Sequence, residues 1–135
     1  MSFVLDTSVT MAWLFEDEST KQSETLLDRL SDEAALVPYL WMYEVANVLV
    51  IAERRQRITE AQARRFTSLL RNLPIEIAED STYELWDGAM NLARIYGLSA
   101  YDSAYLDLAM KQGLPLATQD KALKKAASQA GVEVY

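Results

Sequence analysis

Short apolar runs alternate with longer segments of helical periodicity along the whole chain. The apolar runs have the length and the flanking turn residues that are typical of buried strands, and the longer segments carry helix-starting and helix-ending signals. Strands are predicted at residues 3–5, 34–37, 74–77, 114–117 and 132–134. Helices are predicted at residues 7–15, 20–30, 40–55, 59–70, 81–96, 99–111 and 119–129.

This order of elements predicts the α/β class. Strands that alternate with helices form a largely parallel sheet, and short strands without polar alternation are typical of a sheet that is covered on both faces. We therefore expect a three-layer α/β/α sandwich with a mainly parallel five-stranded sheet. The 135 residues are enough for one domain with a substantial core, so a single domain over residues 1–135 is expected.

Four acidic residues fall at one edge of such a sheet. Asp6 ends the first predicted strand, and Glu44 lies in the first turns of the helix after the second. Asp102 opens a later helix, and Asp120 follows the fourth strand. In a parallel sheet the helix starts meet the carboxyl ends of the strands, where ligands bind in open α/β folds. Four carboxylates are therefore expected to converge there.

Each of these acids also has a simpler interpretation. Asp6, Asp102 and Asp120 are all placed where an acid could cap a helix or suit its dipole. Glu44 lies in the apolar segment WMYEVANVLVIA, too far from the helix start to be a cap. A buried carboxylate of this kind needs either a cationic partner or a metal ion.

Two residue types are missing from the chain, and their absence narrows the chemistry. There is no cysteine and no histidine. Thiolate zinc sites, disulfides, cysteine nucleophiles and histidine-based proton transfer are therefore excluded. Clustered carboxylates repel one another when no cation is bound, whereas oxygen-only ligands suit Mg²⁺ or Mn²⁺. A hydrolytic site in this chain would consequently be a carboxylate site with one of these ions.

Charge is distributed unevenly along the chain. The formal net charge is −7, which disfavours non-specific binding to nucleic acid. The segment 54–71 is nevertheless rich in arginine, and it offers candidate contacts for RNA or a protein partner at Arg54, Arg55, Arg57, Arg64 and Arg65. A solvated helix face explains these arginines equally well. No apolar run is long enough to cross a membrane and no secretory leader is evident, so a cytoplasmic protein is expected.

The motifs together resemble the PIN-domain ribonucleases, and most closely the VapC-type toxins. The matching segments are VLDTSV, YEVANVL, YDSAYLDLA and LATQDKAL, in the expected order along nearly the whole chain. The resemblance implies a Mg²⁺- or Mn²⁺-dependent endoribonuclease, frequent homodimers and a small cognate antitoxin. It implies that Asp6, Glu44, Asp102 and Asp120 form the catalytic, metal-binding site, with Ser8 and Thr118 in support.

Two other classes stay open on the sequence alone. An aspartate after the first strand also serves as nucleophile in Asp-based phosphoryl-transfer enzymes, although their usual second aspartate is replaced here by Ser8. A PIN-like binding module that has lost catalysis is the other alternative. The presence of all four acids favours the nuclease over such a module.

Overall fold

The structure, a computed structural model, describes residues 2–79 and 83–135. Within these residues the chain forms four strands, seven α-helices and one short 3₁₀ turn at Glu16–Glu18. The strands are β1 (Ser2–Leu5), β2 (Ala34–Val37), β3 (Ile75–Ile77) and β4 (Leu116–Ala117). The helices are α1 (Thr7–Ala12), α2 (Lys21–Arg29), α3 (Leu40–Arg54), α4 (Glu60–Asn72), α5 (Glu84–Tyr96), α6 (Ala100–Gln112) and α7 (Lys121–Gln129).

The strands form one parallel sheet in the order β3-β2-β1-β4. The α/β class and the parallel sheet are therefore confirmed. Phe3, Val4 and Leu5 are fully buried, which shows that both faces of β1 are covered. An uninterrupted apolar run is what a strand with two buried faces requires. All four strands point the same way, so the ends of β1 and β4 bring Asp6 and Thr118 together.

The prediction of a fifth strand at residues 132–134 is wrong for the described residues. Val134 forms only an isolated parallel bridge with Leu116. Two backbone bonds support it, from Leu116 N to the Glu133 carbonyl at 2.8 Å and from Tyr135 N to the Leu116 carbonyl at 2.9 Å. The partner strand β4 is itself only two residues long, because Leu114 N completes the end of α6 and proline follows it. The sheet offers too little edge there for a longer ladder.

Most predicted helix boundaries agree with the structure within a few residues. Thr20 and Thr59 form capping boxes at the starts of α2 and α4. Gly97 and Gly113 end α5 and α6 in the left-handed conformation, where a side chain would be strained. Helix α1 stops at Ala12 rather than at residue 15, since the backbone turns before Phe15 to bury its ring. The predicted start of α5 at Ser81 lies outside the described residues.

Helix α6 is the central helix of the fold. It packs against β1 and α7, and it pairs with α5 along much of its length. Close approach of α5 occurs at Gly88, where an added Cβ would lie 2.7 Å from Asp107 Oδ1. Asp107 is therefore largely covered and paired with Lys111 at 2.9 Å, although its helical position suggests a surface residue. Among the described residues, no helix is long and apolar enough to span a bilayer.

Candidate functional site

Asp6 is a buried carboxylate at the carboxyl end of β1. Its backbone N–H donates to the Ala117 carbonyl at 3.0 Å, which fixes it beside the end of β4. Although it occupies the cap position of α1, its side chain makes no capping bond. Instead, Oδ2 accepts hydrogen bonds from Ser8 Oγ at 2.8 Å and Thr118 Oγ1 at 2.6 Å. Ser8 and Thr118 therefore both contact Asp6 directly.

Burial is the main reason why the pKa of Asp6 is raised above 3.8. The hydrogen bonds from Thr118 and Ser8 oppose this shift, and the nearby charge of Glu44 adds to it. A protein that needed Asp6 only for structure would gain by replacing it with a neutral residue. A carboxylate that is kept in spite of the free-energy cost of burying its charge suggests a functional role instead.

Asp102 lies in the first turn of α6. Ser99 is the cap residue of this helix, and its Oγ accepts the backbone N–H of Asp102 at 3.0 Å. Burial, followed by the charges of Asp6, Asp120 and Glu44 in that order, raises the pKa of Asp102 from 3.8 to about 6, against a smaller opposing effect of the Ser99 hydrogen bond. Asp102 therefore experiences the fields of the other three predicted acids at once.

Glu44 adjoins the buried stripe of α3 rather than sitting within it. Its side chain is half-buried, beside the buried positions Trp41 and Val45. No lysine or arginine among the described residues pairs with it, so the buried salt bridge considered above is not what the structure shows. Its Oε1 accepts hydrogen bonds from Tyr105 OH at 2.5 Å and Thr7 Oγ1 at 3.0 Å.

Thr7 and Tyr105 contact Glu44 but are not among the residues that the sequence predicts for the site. Tyr105 is completely buried. Burial, and next in importance its hydrogen bond to Glu44, raise the pKa of Tyr105, so its phenol stays protonated. The available signal was spacing, because Tyr105 lies three residues after Asp102 on the same face of α6. Thr7 directly follows Asp6, at a position where a hydroxyl is ordinary helix-starting chemistry.

Asp120 is the acid for which the capping interpretation holds. Its Oδ1 accepts the backbone N–H of Leu123 at 2.9 Å, as an N-cap of α7. Its own backbone N–H donates to Thr118 Oγ1 at 3.1 Å, which couples it to the residue that holds Asp6. Asp120 nevertheless contributes to the field at Asp102. A role as cap therefore does not remove it from the acidic edge.

The four acids come from separate parts of the chain, and the charges of the other three all act on Asp102. Their donor chemistry fits a hard divalent cation, since it offers carboxylate oxygens and no nitrogen or sulfur. In the described part of the chain, however, no three acidic side chains are arranged close enough to hold one ion together. Asp6, with one oxygen held by two hydroxyls, and Glu44, with Oε1 held by two others, are the most firmly oriented of the four.

The predicted arginine contacts do not form part of this cluster. None of the five arginines forms an ion pair with the four acids within residues 2–79 and 83–135. Arg64 pairs with Glu60 on its own helix at 3.2 Å. Arg54, Arg55 and Arg65 are exposed. Arg54 follows Glu44 by ten residues on α3, a rise of about 15 Å.

Arg57 has a structural role in the described molecule. Its guanidinium pairs with Asp17 at 3.2 Å and with Glu18 at 4.0 Å, and it lies 4.1 Å from the centroid of the Phe15 ring. It thereby joins the α3–α4 turn to the segment after α1. This pairing connects two parts of the chain that carry opposite charge.

We expect Arg57→Ala to lower the free energy of unfolding by ~1 kcal/mol, because an exposed ion pair and a cation–π contact each contribute up to about that amount. Chemical denaturation of the purified protein measures this change. Arg54→Ala is the matched control and should leave stability unchanged. Equal stability of the two variants would mean that the Arg57 contacts contribute nothing to the folded state.

Comparison with known proteins places this geometry in context. A family model described as PIN domain matches residues 3–129. Ribonuclease VapC3 of Pyrobaculum aerophilum is 32% identical over 123 residues, which cover 91% of this chain and 92% of that protein.

Solved structures show the same fold. VapBC2 from Rickettsia felis, bound to a DNA fragment from its promoter, superposes with a TM-score of 0.72 at 11% identity, covering all of this chain and 98% of that one. FitAcB from Neisseria gonorrhoeae gives a TM-score of 0.66 at 18% identity, covering all of this chain and 96% of that one. A toxin-antitoxin complex from Klebsiella pneumoniae gives 0.62 at 18% identity, covering 87% and 86%.

Proposed function

Since the chain belongs to the PIN-domain family, we propose that it is a divalent-metal-dependent endoribonuclease that cleaves RNA phosphodiester bonds. The observation that carries this proposal is the acidic edge of the sheet. Asp6, Glu44, Asp102 and Asp120 meet there from four elements, and the pKa of Asp102 is raised by burial and by all three of the others. A structural set of caps would have no reason to share one electrostatic field.

In this proposal the four acids are the catalytic and metal-binding residues. Since no three of the described acids lie close enough to hold one ion together, one or two of Asp6, Glu44 and Asp102 would bind Mg²⁺ or Mn²⁺ directly and the others through water. Asp120 would contribute through the oxygen that does not cap α7. When bound, the ion would activate water as a nucleophile and neutralise charge that develops on the phosphate. Ser8 and Thr118 hold Asp6 so that only one of its oxygens is engaged by hydroxyls.

The negative charge at the acidic edge limits how RNA could bind to the protein. Because the acidic edge repels phosphate, RNA would need contacts away from the four acids as well as the cation between them. Arg54, Arg55 and Arg65 are exposed and form no ion pair within residues 2–79 and 83–135, so they are available for such contacts. Arg57 and Arg64 are engaged with acids of this chain, which makes them weaker candidates.

We further propose that the protein is the toxin of a type II toxin–antitoxin system, with a cognate antitoxin as its partner. The structural relatives include a toxin-antitoxin complex, which supports a protein partner of this kind. Tyr43 and Tyr101 immediately precede Glu44 and Asp102 and are 68% and 64% exposed. Exposed aromatic side chains beside a site are typical of partner surfaces. A homodimer stays a prediction.

Inducible expression in a bacterial host tests this function. We expect the wild-type protein to arrest growth and to produce new RNA 5′ ends at a limited set of sites, as seen by sequencing RNA ends. Asp6→Asn, which removes one proposed ligand, should produce neither effect at equal protein abundance. Growth arrest by both the wild type and Asp6→Asn, or the absence of new RNA 5′ ends with the wild type, would contradict the proposal.

A further inference from the structure

Three oxygen atoms, Glu44 Oε1, Tyr105 OH and Thr7 Oγ1, all lie within hydrogen-bonding distance of one another. Tyr105 OH and Thr7 Oγ1 lie 2.5 and 3.0 Å from Glu44 Oε1, and the two hydroxyls lie 2.8 Å from each other. Each hydroxyl carries one proton, so only two of these three contacts can be hydrogen bonds at a time. In every arrangement at least one proton is directed at Oε1.

This arrangement treats the two oxygens of Glu44 differently. Both donors meet on Oε1, and Oε2 accepts no hydrogen bond from residues 2–79 and 83–135. Both donors are neutral. They therefore orient the carboxylate without cancelling its charge, whereas a lysine or arginine would cancel it. A half-buried glutamate held for structure alone would be expected to find a cation among the side chains of the chain itself.

We propose that Thr7 and Tyr105 are positioning residues that hold Glu44 through Oε1, so that Oε2 would be the oxygen available to bind a cation. This inference rests on the proposed function, since it takes Glu44 as part of the cation site. Tyr105 is well suited to this role because it is fully buried in the central helix α6, and its ring has little freedom to move. Thr7 adds a second donor from α1, next to Asp6.

The position of these donors links two of the proposed ligands. Thr7 follows Asp6 in the chain, and Tyr105 follows Asp102 by three residues on α6. The hydroxyls that orient Glu44 thus belong to residues close in sequence to Asp6 and Asp102. A shift of α1 or α6 would therefore move the hydroxyls that orient Glu44.

Titration of the purified protein with Mn²⁺ alone, followed by calorimetry at fixed pH and without RNA, tests the inference. Removing an outer partner of a metal ligand lowers metal affinity by about 10- to 100-fold. We expect Tyr105→Phe and Thr7→Val each to lower Mn²⁺ affinity by about this factor. Thr7→Ser keeps the hydroxyl and should restore the affinity of the wild type.

Two matched variants separate positioning from stability. Thr59→Val makes the same change at the start of α4 and removes the hydroxyl that accepts the backbone N–H of Gln62 at 3.1 Å, a hydroxyl with no contact to the four acids in the described structure. Tyr96→Phe removes a phenolic hydroxyl at the end of α5. Both should keep wild-type Mn²⁺ affinity, even where Thr59→Val melts at a lower temperature. Circular dichroism confirms folding, and if Tyr105→Phe does not fold, the comparison of Thr7→Val with Thr7→Ser decides.

The outcomes distinguish this inference from the proposed function. Wild-type affinity in both Tyr105→Phe and Thr7→Val would overturn the inference while RNA cleavage by the wild type stood. If these variants bind Mn²⁺ more weakly, while the wild type binds Mn²⁺ but does not cleave RNA, the inference would be supported and the proposed function overturned. A wild-type protein that binds no Mn²⁺ would overturn both.

Discussion

Asp6→Asn is expected to abolish RNA cleavage and yet to raise the stability of the cation-free protein. The rate of cleavage should fall by more than about 10²-fold, because removal of a residue that merely hydrogen-bonds to a metal ligand already lowers activity by up to about that factor. Stability should rise because the amide carries no charge to bury, whereas burial raises the pKa of the Asp6 carboxyl. Thermal unfolding in EDTA and a cleavage assay in Mn²⁺, on the same preparations, measure both effects.

The hydrogen bonds of Asp6 explain why the variant should fold. Ser8 and Thr118 both donate to the one oxygen Oδ2, so an amide oxygen in that place accepts both. Asp28→Asn, at an exposed position of α2, is the matched control and should change neither property. A destabilised Asp6→Asn with normal cleavage would show that Asp6 is a structural residue.

The cation-free protein is expected to lose stability as pH rises from about 4 through about 6. The folded-state pKa of Asp102 is about 6 against 3.8 for the free group, and that of Asp6 is also raised. A group with a raised folded pKa contributes stability that is fully present below its unfolded pKa and lost as pH rises through the folded value. The midpoint of thermal unfolding in EDTA, followed across this range, measures the loss.

Added Mn²⁺ should reverse this loss above pH 6, because the ion binds the ionised carboxylates of the folded state and not the unfolded chain. The double variant Asp6→Asn, Asp102→Asn should show a much flatter pH profile and no response to the ion. Asp28→Asn should behave as the wild type does. A wild-type profile that is flat in EDTA would contradict the raised pKa values of the two acids.

The position of the acids could be predicted from sequence because it follows from topology. Parallel strands end at one edge, so an acid after β1 and an acid at the start of α6 must lie on the same side of the sheet. Ser8 and Thr118 were expected at this edge from the family resemblance, and both contact Asp6. Predicting the shared edge needed no knowledge of strand order, which in the structure places β1 between β2 and β4.

Other features depend on details that the sequence does not carry. The contacts of Tyr105 and Thr7 with Glu44 require three side chains from three elements to adopt compatible rotamers. The pairing of Arg57 with Asp17 joins residues forty positions apart and depends on where the segment after α1 turns. Residues 132–134 have strand-like composition, but whether they form a strand depends on the length of β4 beside them.

The glutamate in the apolar segment WMYEVANVLVIA is the clearest case of a feature that was predicted in part. Sequence alone identified Glu44 as a charge in need of an explanation and left a salt bridge or a metal ion open. The structure shows neutral donors on one oxygen and no basic partner among the described residues. We interpret this as a ligand that is already oriented before a cation arrives.

Cleavage of RNA by the purified wild-type protein, with EDTA and then with excess Mg²⁺ or Mn²⁺ added back, is the most direct test of the central claim. We predict discrete cleavage products with the cation, none in EDTA, and recovery when the ion is restored. Asp6→Asn, measured beside it, should give no products at any stage. Cleavage that persists in EDTA, or full activity of Asp6→Asn, would contradict a metal-dependent nuclease site at the acidic edge of this sheet.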